Sequence, residues 1–389
     1  MSYLEKLLQG VEVEWKTLGE VTDYEQPTRY IVKSNNYSDK FKTPVLTAGK
    51  SFILGYTDET DGIYQASESP VIIFDDFTTA NKWVDFNFKI KSSAMKLITS
   101  KDESKVLLKY IYYWLNTLPS GLVEGDHKRQ WISSYSIKEI PIPPLSVQKE
   151  IVRILDRFTE LTAELTAELT ARKQQYNFYR EQLFSFNEAG VEREPFGLIG
   201  EFQRGKRFVK DDIISEGVPC IHYGEMYTYY GTWANKSKSF LSEELVERKN
   251  LRIAENGDVV IVAAGETIED IGMGTAWLGD EGVVIHDACF SFRSSLNPKY
   301  VAYFTRTKQF HDQIKKHISS GKISAINARG LEKVLIPVPS PEEQEHIVSI
   351  LDKFDMLTTS ISEGLPREIE LRQKQYEYYR DMLLTFPKN

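Results

Sequence analysis

IPIPPLSVQKEIVRILDRF, residues 140–158, returns as IPVPSPEEQEHIVSILDKF at residues 336–354. ARKQQYNFYREQLFSF at 171–186 likewise returns as LRQKQYEYYRDMLLTF at 371–386. The first offset is 196 residues and the second is 200, so the two copies differ by about one helical turn between their matched ends. The 389-residue chain is therefore an internal repeat. Its aligned positions include Gln148 with Gln344, Asp156 with Asp352 and Phe158 with Phe354.

A tandem tetrapeptide lies in the zone where the offset changes. Thr-Ala-Glu-Leu occurs at 162–165 and again at 166–169, and a four-residue unit nearly matches one turn of an α-helix. The pattern predicts a helix from about 145 to 186 in which each copy adds about 6 Å and rotates the rest of the helix by about 40°. The tetrapeptide is thus predicted to be a spacer. The apolar and aromatic positions predicted for the spacer and partner-facing helices are Leu161, Leu165, Leu169, Tyr176, Tyr179, Leu357, Tyr376 and Tyr379.

The second helical copy has a clear start signal and a break signal. Ser340 precedes Pro341 and Glu343, which is typical of a helix N-cap with proline in the first turn. Gly364 and Pro366 predict a kink or an interruption farther along. Matched stripes in the two copies favour antiparallel pairing of long coiled-coil helices over two unrelated surface helices.

The remaining regions have the texture of mixed α/β or α+β domains. VIIF at 71–74, VVIVAA at 259–264 and GVVIHDACFSF at 282–292 predict strands, whereas 107–118 and 298–317 predict helices in equivalent places. Because residues 3–8 resemble the end of a helical copy, the repeat is predicted to be circular, with a pseudo-two-fold relation between halves. The predicted divisions are two globular domains, 1–139 and 191–335, and two helical regions, 140–190 and 336–389.

Composition indicates a globular protein of the cytoplasm. The sequence is 41% hydrophobic and 27% charged, with no apolar stretch near the ~20 residues of a membrane span. Cys220 and Cys289 form no CxxC pair and are predicted to be inert thiols. The net charge of −8 alone argues against a nucleic-acid binder. Between residues 299 and 333, however, eight Lys and Arg face only two acidic residues.

Motifs of catalysis are weak or incomplete. GEFQRGKR at 200–207 lacks the Ser or Thr that completes a phosphate-binding loop, and no GxGxxG or Asn-Pro-Pro-aromatic motif occurs. His286-Asp287 and Asp75-Asp76 lack a spaced set of partners for metal or acid/base chemistry and are predicted to be structural. The sequence therefore indicates no catalytic site, no metal site and no cofactor in this chain.

Cations, amides, hydroxyls and aromatic rings are concentrated in five segments, 74–86, 125–136, 200–207, 222–231 and 321–330. Lys and Arg suit DNA phosphates, Asn and Gln suit base edges, and aromatic rings stack on bases. Segments 125–136 and 321–330 occupy equivalent places in the two halves, which favours a shared role over a solvated charge run. The predicted DNA contacts are Thr79, Asn81, Lys82, Lys128, Arg129, Gln130, Trp131, Arg204, Lys206, Arg207, Tyr223, Lys322, Ser324, Asn327 and Arg329.

Taken over its whole length, the chain resembles the specificity subunit of Type I restriction-modification systems. The resemblance is carried by EIVRILDRFTELTAEL with RKQQYNFYREQLFSF and by their second copy at 343–386. The tandem Thr-Ala-Glu-Leu most resembles the IC subfamily. The resemblance implies two target-recognition domains that each read half of a bipartite, asymmetric site in double-stranded DNA. It also implies a role in defence against phage.

The same resemblance implies partners rather than catalysis. The helices would set the gap between half-sites and dock two methyltransferase (M) subunits, which use S-adenosylmethionine, while restriction (R) subunits add ATP- and Mg-dependent cleavage. Three alternatives stay open on the sequence alone. The first is a coiled-coil adaptor that does not read DNA. The second is an enzyme that acts alone, and the third is the specificity subunit of a single fused methyltransferase-nuclease.

Overall fold

The computed structural model describes residues 3–8, 10–47, 51–119, 129–186, 190–319, 321, 323–360 and 363–387. The chain divides into two compact units. Unit 1 comprises Met1–Glu164 and Ile369–Asn389, and unit 2 comprises Leu165–Glu368. Unit 1 thus contains both ends of the chain. The domain boundaries predicted at 139, 190 and 335 stay predictions.

Unit 1 contains two sheets and the first part of a long helix. Its larger sheet has the antiparallel order β2-β8-β5-β6, and its smaller sheet has the order β4-β3-β7 with β3 parallel to β7. A separate pair joins β1 to β9. The elements are α1 Tyr3–Leu8, β1 Glu14–Thr17, α2 Leu18–Val21, β2 Thr22–Glu25, β3 Thr43–Leu46, β4 Ile53–Thr57, β5 Val71–Asp75, β6 Asn81–Val84, β7 Lys89–Ile90, β8 Met95–Ser100, α3 Leu108–Leu115, β9 Glu139–Ile142 and α4 Leu145–Leu183.

Unit 2 repeats this plan with additional short strands. Besides the second part of α4, its elements in chain order are β10 Arg193–Pro195, α5 Phe196–Ile199, β11 Gly200–Arg204, β12 Val218–Ile221, α6 Glu225–Thr228, β13 Trp233–Ala234, β14 Ser239–Leu241, α7 Glu243–Lys249, β15 Ile253–Ala254, β16 Val259–Val262, β17 Ala264–Gly265, β18 Gly274–Trp277, β19 Val283–Ile285, β20 Cys289–Ser294, α8 Pro298–Phe304, α9 Lys308–Ile314, β21 Ser324–Ala325, α10 Ala328–Glu332, β22 Leu335–Pro337 and α11 Pro341–Thr359. Helix α12, Leu365–Leu384, begins in unit 2 and continues from Ile369 in unit 1.

The sheets of the two units have matching topologies. In unit 2 the order β11-β20-β16-β18-β13 corresponds to β2-β8-β5-β6 with one strand added, and β14-β12-β19-β15 corresponds to β4-β3-β7. The parallel pair of β12 with β19 matches that of β3 with β7, and β10 with β22 matches β1 with β9. Both central strands, VIIFD and VVIV, are buried along their whole length, as expected for strands covered on both faces.

The repeated glutamines Gln148 and Gln344 occupy the same structural position in the two units. Both are buried, and each accepts an N–H from the segment before a helix of its own domain, Leu107 in unit 1 and Asn297 in unit 2. Each also donates to a proline carbonyl close to its own helix start. A buried amide that satisfies several backbone groups resists substitution, which explains why this position recurs across the repeat.

The long helices follow the predicted pattern. Helix α4 is continuous over 39 residues, with Leu161, Leu165 and Leu169 partly buried and the intervening glutamates exposed. Helix α11 begins at Pro341, where Ser340 accepts the N–H of Glu343.

The second helical copy is interrupted, as the sequence predicts. Helix α11 ends at Thr359 and α12 begins at Leu365, so Pro366 lies in a first turn where its missing N–H removes no helical hydrogen bond. A Cβ at Gly364 would lie 2.4 Å from the carbonyl oxygen of Met356, which explains the glycine at the break.

Other local predictions are largely confirmed. All three predicted β segments contain strands, and residues 107–118 contain α3, but 298–317 forms two helices because Thr307 caps a second start at Lys308. Both cysteines are buried as free thiols, and burial raises the pKa of each to about 12. Within the described ranges, every helix is too short or too polar to cross a membrane.

Candidate nucleic-acid interface

A tight loop between β5 and β6 presents side chains at the surface of unit 1. Asp75 Oδ1 accepts the backbone N–H groups of Phe77 at 2.8 Å and Thr78 at 3.1 Å. Thr79 has a left-handed φ of 61°, and its side chain is buried. The same turn leaves Phe77 41% exposed and Thr78 exposed. This turn thus buries Thr79, whose DNA contact stays a prediction, and points Phe77 and Thr78 outward.

Asp76 connects this loop to a second predicted segment. Its backbone carbonyl accepts the N–H of Gln130 at 2.9 Å, and its Oδ1 accepts the N–H of Trp131 at 2.9 Å. Its Oδ2 lies 3.2 Å from Lys96 Nζ, and both of these side chains are buried. Two stretches that the sequence separates by about 50 residues are thus held together by one carboxylate.

The structure corrects the expected roles of Gln130 and Trp131. Trp131 is 1% exposed, and its ring packs edge-on against Phe74 at 5.1 Å, so it is a core residue and not a stacking platform. Gln130 is 7% exposed and lies in the turn that carries this ring inward. An aromatic ring can pack in a hydrophobic core or stack on a base, so the residue type alone did not distinguish these two roles.

Other predicted residues of unit 1 remain at the surface. Arg129 and Lys82 are exposed, whereas Asn81 is partly buried and its side-chain oxygen accepts from Asn116 at 3.2 Å. Lys128 lies outside the described residues. The described surface near Asp76 therefore offers the cations Arg129 and Lys82.

Unit 2 contains an open cavity of about 400 Å³ beside the predicted cations. Segments that follow β11, β12 and β19 contribute to it, together with β17 and the residue before β21. Three of its lining residues are among the predicted DNA contacts. The full lining comprises Arg204, Arg207, Phe208, Val209, Lys210, His222, Tyr223, Ala264, Gly265, Glu266, His286, Asp287, Ala288 and Ile323.

The three predicted cations near this cavity differ in the contacts that their side chains make. Arg204 donates through Nε to the backbone carbonyl of Asp287 at 2.9 Å and lies over the Phe290 ring. Lys206 donates to the carbonyl of Lys249 at 3.4 Å. Arg207 is exposed and makes no hydrogen bond or ion pair with any residue that the structure describes. Of these three side chains, only Arg207 therefore has all of its donors uncommitted within the described part of the chain.

Four rings gather on one side of the cavity. His222 lies 4.6 Å from Tyr223 and 4.9 Å from His286, and Phe208 packs edge-on against His286 at 5.1 Å. Burial lowers the pKa of both histidines, so both are neutral at physiological pH. Tyr223 is 38% exposed, which keeps its predicted role available.

His286 is not placed to act as a general base. Its Nδ1 accepts the N–H of Ala288 at 3.1 Å, and its Nε2 lies 3.0 Å from the carbonyl oxygen of Phe208. Asp287 Oδ1 also lies 3.0 Å from Nδ1. With both ring nitrogens engaged within the protein, the imidazole holds three segments together instead of accepting a substrate proton. Among the residues that the structure describes, no three His, Cys, Asp or Glu side chains cluster as metal ligands.

The basic segment before the second helical copy is only partly exposed. Ser324 is 5% exposed in the β17–β21 pair, which does not favour its predicted contact with DNA. Asn327 is exposed but caps α10 by accepting the N–H of Gly330 at 3.0 Å. Arg329 is exposed, and Lys322 lies outside the described residues. Among the predicted DNA contacts of this segment, Arg329 is thus the cation that the structure describes at the surface.

In unit 1 a lysine links the recognition sheet to the long helix. Lys109 on α3 places its ammonium group 4.1 Å from the Trp83 ring centre and 3.5 Å from Asp156 on α4. Tyr113 donates to the same carboxylate. The sheet, α3 and α4 therefore meet at one charged junction.

Unit 2 contains the same junction. Lys299 on α8 lies 4.3 Å from the Trp233 ring centre and 2.7 Å from Asp352 on α11, and Tyr303 donates to Asp352 at 2.7 Å. Sequence reasoning missed the repeated Lys-Tyr-x-x-Tyr signature that carries these contacts. The two copies of this signature are 190 residues apart, whereas the helical segments are 196 apart. The second copy has six more residues between its signature and its helical segment.

Aromatic rings also repeat on the helices. In unit 2, Phe178 packs edge-on against Tyr179 at 5.6 Å, and Tyr179 stacks on Phe354 at 5.5 Å. Phe178 is 61% exposed. This row of three rings therefore ends at the surface.

Unit 1 contains an equivalent row. Tyr378 packs edge-on against Tyr379 at 5.5 Å, and Tyr379 stacks on Phe158 at 5.1 Å. Tyr378 is 66% exposed. Each unit thus presents one large aromatic side chain to solvent at the same position of the repeat.

Comparison with known proteins gives a consistent result along the chain. The Type I restriction modification DNA specificity domain matches residues 10–172 and 195–371. The Type I restriction enzyme EcoR124I/EcoR124II specificity subunit of Escherichia coli is 52% identical, with 100% of this chain and 98% of that protein covered. A putative type I restriction enzyme specificity subunit of Haemophilus influenzae is 31% identical, with 99% and 98% covered.

Solved structures show the same fold at low sequence identity. The S subunit of a Type I restriction-modification system from M. genitalium has a TM-score of 0.58 and 16% identity, with both chains covered completely. A chain from a study of complex assembly and conformational transition in the type I system has a TM-score of 0.57 and 16% identity, with 96% and 98% covered. The architecture is therefore similar to theirs.

Proposed function

Because the chain belongs to the Type I restriction modification DNA specificity domain family, we propose that it selects the DNA target of a Type I restriction-modification complex. Each globular region reads one half of a bipartite, asymmetric site in double-stranded DNA. The chain itself carries out no catalytic step. Its assignment to an IC-like subfamily stays a prediction.

The duplicated architecture is the observation that carries this proposal. Matching sheets, matching glutamines and matching lysine junctions occur in both units, whereas the loops beside them differ in sequence and contacts. A duplicated scaffold with different loops suits two unlike half-sites. A coiled-coil adaptor would need the helices but would not need two elaborated domains with exposed cations.

The charge distribution is compatible with DNA. The chain is acidic as a whole, with a net charge of −8, yet Arg129, Lys82, Arg207 and Arg329 are exposed near the candidate loops. DNA affinity depends on local phosphate contacts, so an acidic total does not prevent binding through such patches. Partner subunits that contact DNA would add to the affinity.

The long helix is proposed to set the gap between half-sites. The tandem tetrapeptide at 162–169 lies within α4 and spans the division between the two units at Glu164 and Leu165. One four-residue unit changes the helix length by about 6 Å, close to two base-pair steps of about 3.4 Å. A change in the number of units therefore changes the permitted gap.

Partner subunits supply the chemistry in this proposal. The helical regions dock two methyltransferase (M) subunits, and restriction (R) subunits join through the complex. S-adenosylmethionine, ATP and Mg²⁺ are used by those partners. Exposed Phe178 and Tyr378 are the proposed anchors, because large aromatic side chains are frequent energetic centres of protein interfaces. The complex acts on DNA in the cytoplasm.

Reconstitution with the methyltransferase subunit encoded beside this chain tests the proposal. Genome-wide mapping of modified adenines should give two fixed half-sites separated by a fixed gap. Arg129→Ala and Arg329→Ala should each weaken modification through one half-site. An assembled complex that methylates no specific sequence would favour the adaptor, and a single fused methyltransferase-nuclease gene beside this chain would favour the third alternative.

A further inference from the structure

We propose that the cavity beside Arg207 reads the major-groove edge of a G·C base pair in the half-site assigned to unit 2. The inference rests on the proposed function and adds a base-pair identity to it. Guanine presents two acceptors in the major groove, N7 and O6, and its paired cytosine presents an amino donor. A complementary surface therefore needs a forked cation next to a carboxylate, and this cavity contains both.

Arg207 provides the forked donor. Its neighbours Arg204 and Lys206 already donate to backbone carbonyls, and Arg204 also covers a phenylalanine ring. Arg207 is exposed at the cavity and makes no such contact with the described part of the chain. Its guanidinium is thus free to donate two parallel hydrogen bonds, the geometry that guanine accepts.

Carboxylates distinguish this cavity from a phosphate site. Glu266 and Asp287 both line it, and Glu266 is exposed. A DNA phosphate placed between them would be repelled, whereas an amino group of cytosine donates to a carboxylate favourably. The lining thus combines two carboxylates with the cations Arg204, Arg207 and Lys210, and the carboxylates provide the acceptors that a cytosine amino group needs and a phosphate does not.

The rings of Phe208, His222, Tyr223 and His286 form an uncharged part of the cavity lining. Burial lowers the pKa of His222 and of His286, so neither adds a positive charge for a phosphate. His222 Nδ1 accepts the N–H of Gly224 at 3.3 Å, which leaves the proton on Nε2 as a further directional donor. Flat rings together with directional donors and acceptors in one lining match the planar edge of a base pair.

Arg207→Ala tests the assignment in the reconstituted methyltransferase complex. Discrimination at one G·C pair of the unit 2 half-site should fall about 5- to 150-fold, the range for losing a bidentate contact. The other half-site and the gap should not change. Arg207→Lys retains the charge but not the fork, so it should not restore discrimination. Arg248→Ala is the matched control, because its guanidinium pairs with Glu244 on α7 and does not line the cavity.

A modified duplex provides a second measurement. Replacing guanine by 7-deazaguanine removes the N7 acceptor without changing Watson–Crick pairing. At the inferred position, this replacement should weaken binding by wild type and leave binding by Arg207→Ala unchanged. Elsewhere in the half-site, the two proteins should respond equally.

The outcomes separate this inference from the proposed function. If the wild-type protein modifies a bipartite site and Arg207→Ala keeps the same base preference, the inference alone is overturned. A uniform loss of affinity that Arg207→Lys restores, with a shallower salt dependence, would also overturn it, since that result indicates a phosphate contact. Wild type that modifies no specific site would overturn the proposed function first.

Discussion

The ammonium group of Lys299 lies 2.7 Å from the carboxylate of Asp352, while the Trp233 ring covers it at 4.3 Å. Lysine thereby connects the recognition sheet of unit 2 to its helix α11. The side chains of Lys299 and Asp352 are 19% and 32% exposed. This partly buried pair is expected to matter more than an ion pair in full solvent.

Lys299→Met should lower the free energy of unfolding of the chain by about 1–2 kcal/mol, because Asp352 loses a charge-assisted hydrogen bond. Lys308→Met is the matched control, since its pair with Asp312 is exposed on one helix and is worth about 0.5 kcal/mol or less. Urea unfolding followed by circular dichroism measures both changes. Equal effects of the two substitutions would show that the junction adds nothing beyond a surface ion pair.

The buried pair of Asp76 and Lys96 gives a stronger prediction for unit 1. Asp76→Asn retains an acceptor for the Trp131 N–H but leaves the Lys96 ammonium buried without its counter-charge. Loss of about 3–5 kcal/mol of stability is expected. Asp75→Asn is the control, because an amide oxygen also accepts the N–H groups of Phe77 and Thr78, so its effect should stay within about 1 kcal/mol.

Adding Lys96→Met to Asp76→Asn should restore part of the lost stability, because no unpaired charge then remains buried. Thermal unfolding of the single and double variants measures this recovery. A double variant less stable than Asp76→Asn alone would contradict the assignment of the loss to the uncompensated lysine.

Helical periodicity was readable from the sequence because it is local. The stripe through Leu161, Leu165 and Leu169 fixed α4, and the Ser340-Pro341 start and the Gly364-Leu365-Pro366 break were found in the same way. Each of these signals lies within a few residues of the element that it governs.

The candidate site was predicted less well because its contacts join distant segments. Asp76 determines that Trp131 turns inward, and nothing near Trp131 in the sequence indicates this. Trp131 and Asn327 align at the offset of 196, yet one lies in a core and the other caps a helix. Residue type therefore pointed to candidate segments but did not indicate which of their side chains face outward.

Exposed aromatics on the helices predict a loss of partner binding. Phe178→Ala and Tyr378→Ala should each weaken binding of the methyltransferase subunit at one of two equivalent sites by about 30-fold, the effect of about 2 kcal/mol at an interface hot spot. The double variant should assemble with neither copy. Tyr229→Ala, a 56% exposed tyrosine away from these helices, is the control. Sedimentation velocity at increasing methyltransferase concentrations would contradict the assignment if all variants assemble like wild type.

Acid should destabilise unit 2. Burial lowers the pKa of His222, His286 and His311 below the ordinary 6.5, with Asp287 opposing the effect at His286 and Arg207 adding to it. The stability that the neutral histidines contribute to the folded chain is thus fully present above about pH 6.5. This stability is lost as pH falls through the lowered values, because the unfolded chain binds the protons first. Burial raises the pKa of Asp355, so its effect has the opposite sign.

The Tm should therefore fall between pH 7.5 and 5.5, and His286→Gln should reduce that fall even if its Tm at pH 7.5 is lower. His346→Gln is the control, because His346 is exposed on α11. Differential scanning fluorimetry at both pH values measures the difference. An identical fall in the His286 and His346 variants would indicate that other groups control the acid response.

Removal of residues 166–169 tests the spacer directly. Helix α4 continues through this stretch, where Thr170 Oγ1 donates to the carbonyl of Thr166, and the glutamates are exposed, so a shortened helix should still form. The deletion shortens α4 by about 6 Å and turns the following residues by about 40°. Methylation mapping should then find both half-sites unchanged and a gap shorter by about one or two base pairs. Substituting the same four residues by Ala-Ala-Glu-Ala retains the length and should retain the gap. An unchanged gap after the deletion would refute the spacer, whereas a changed gap in the substituted variant would assign its effect to side chains and not to length.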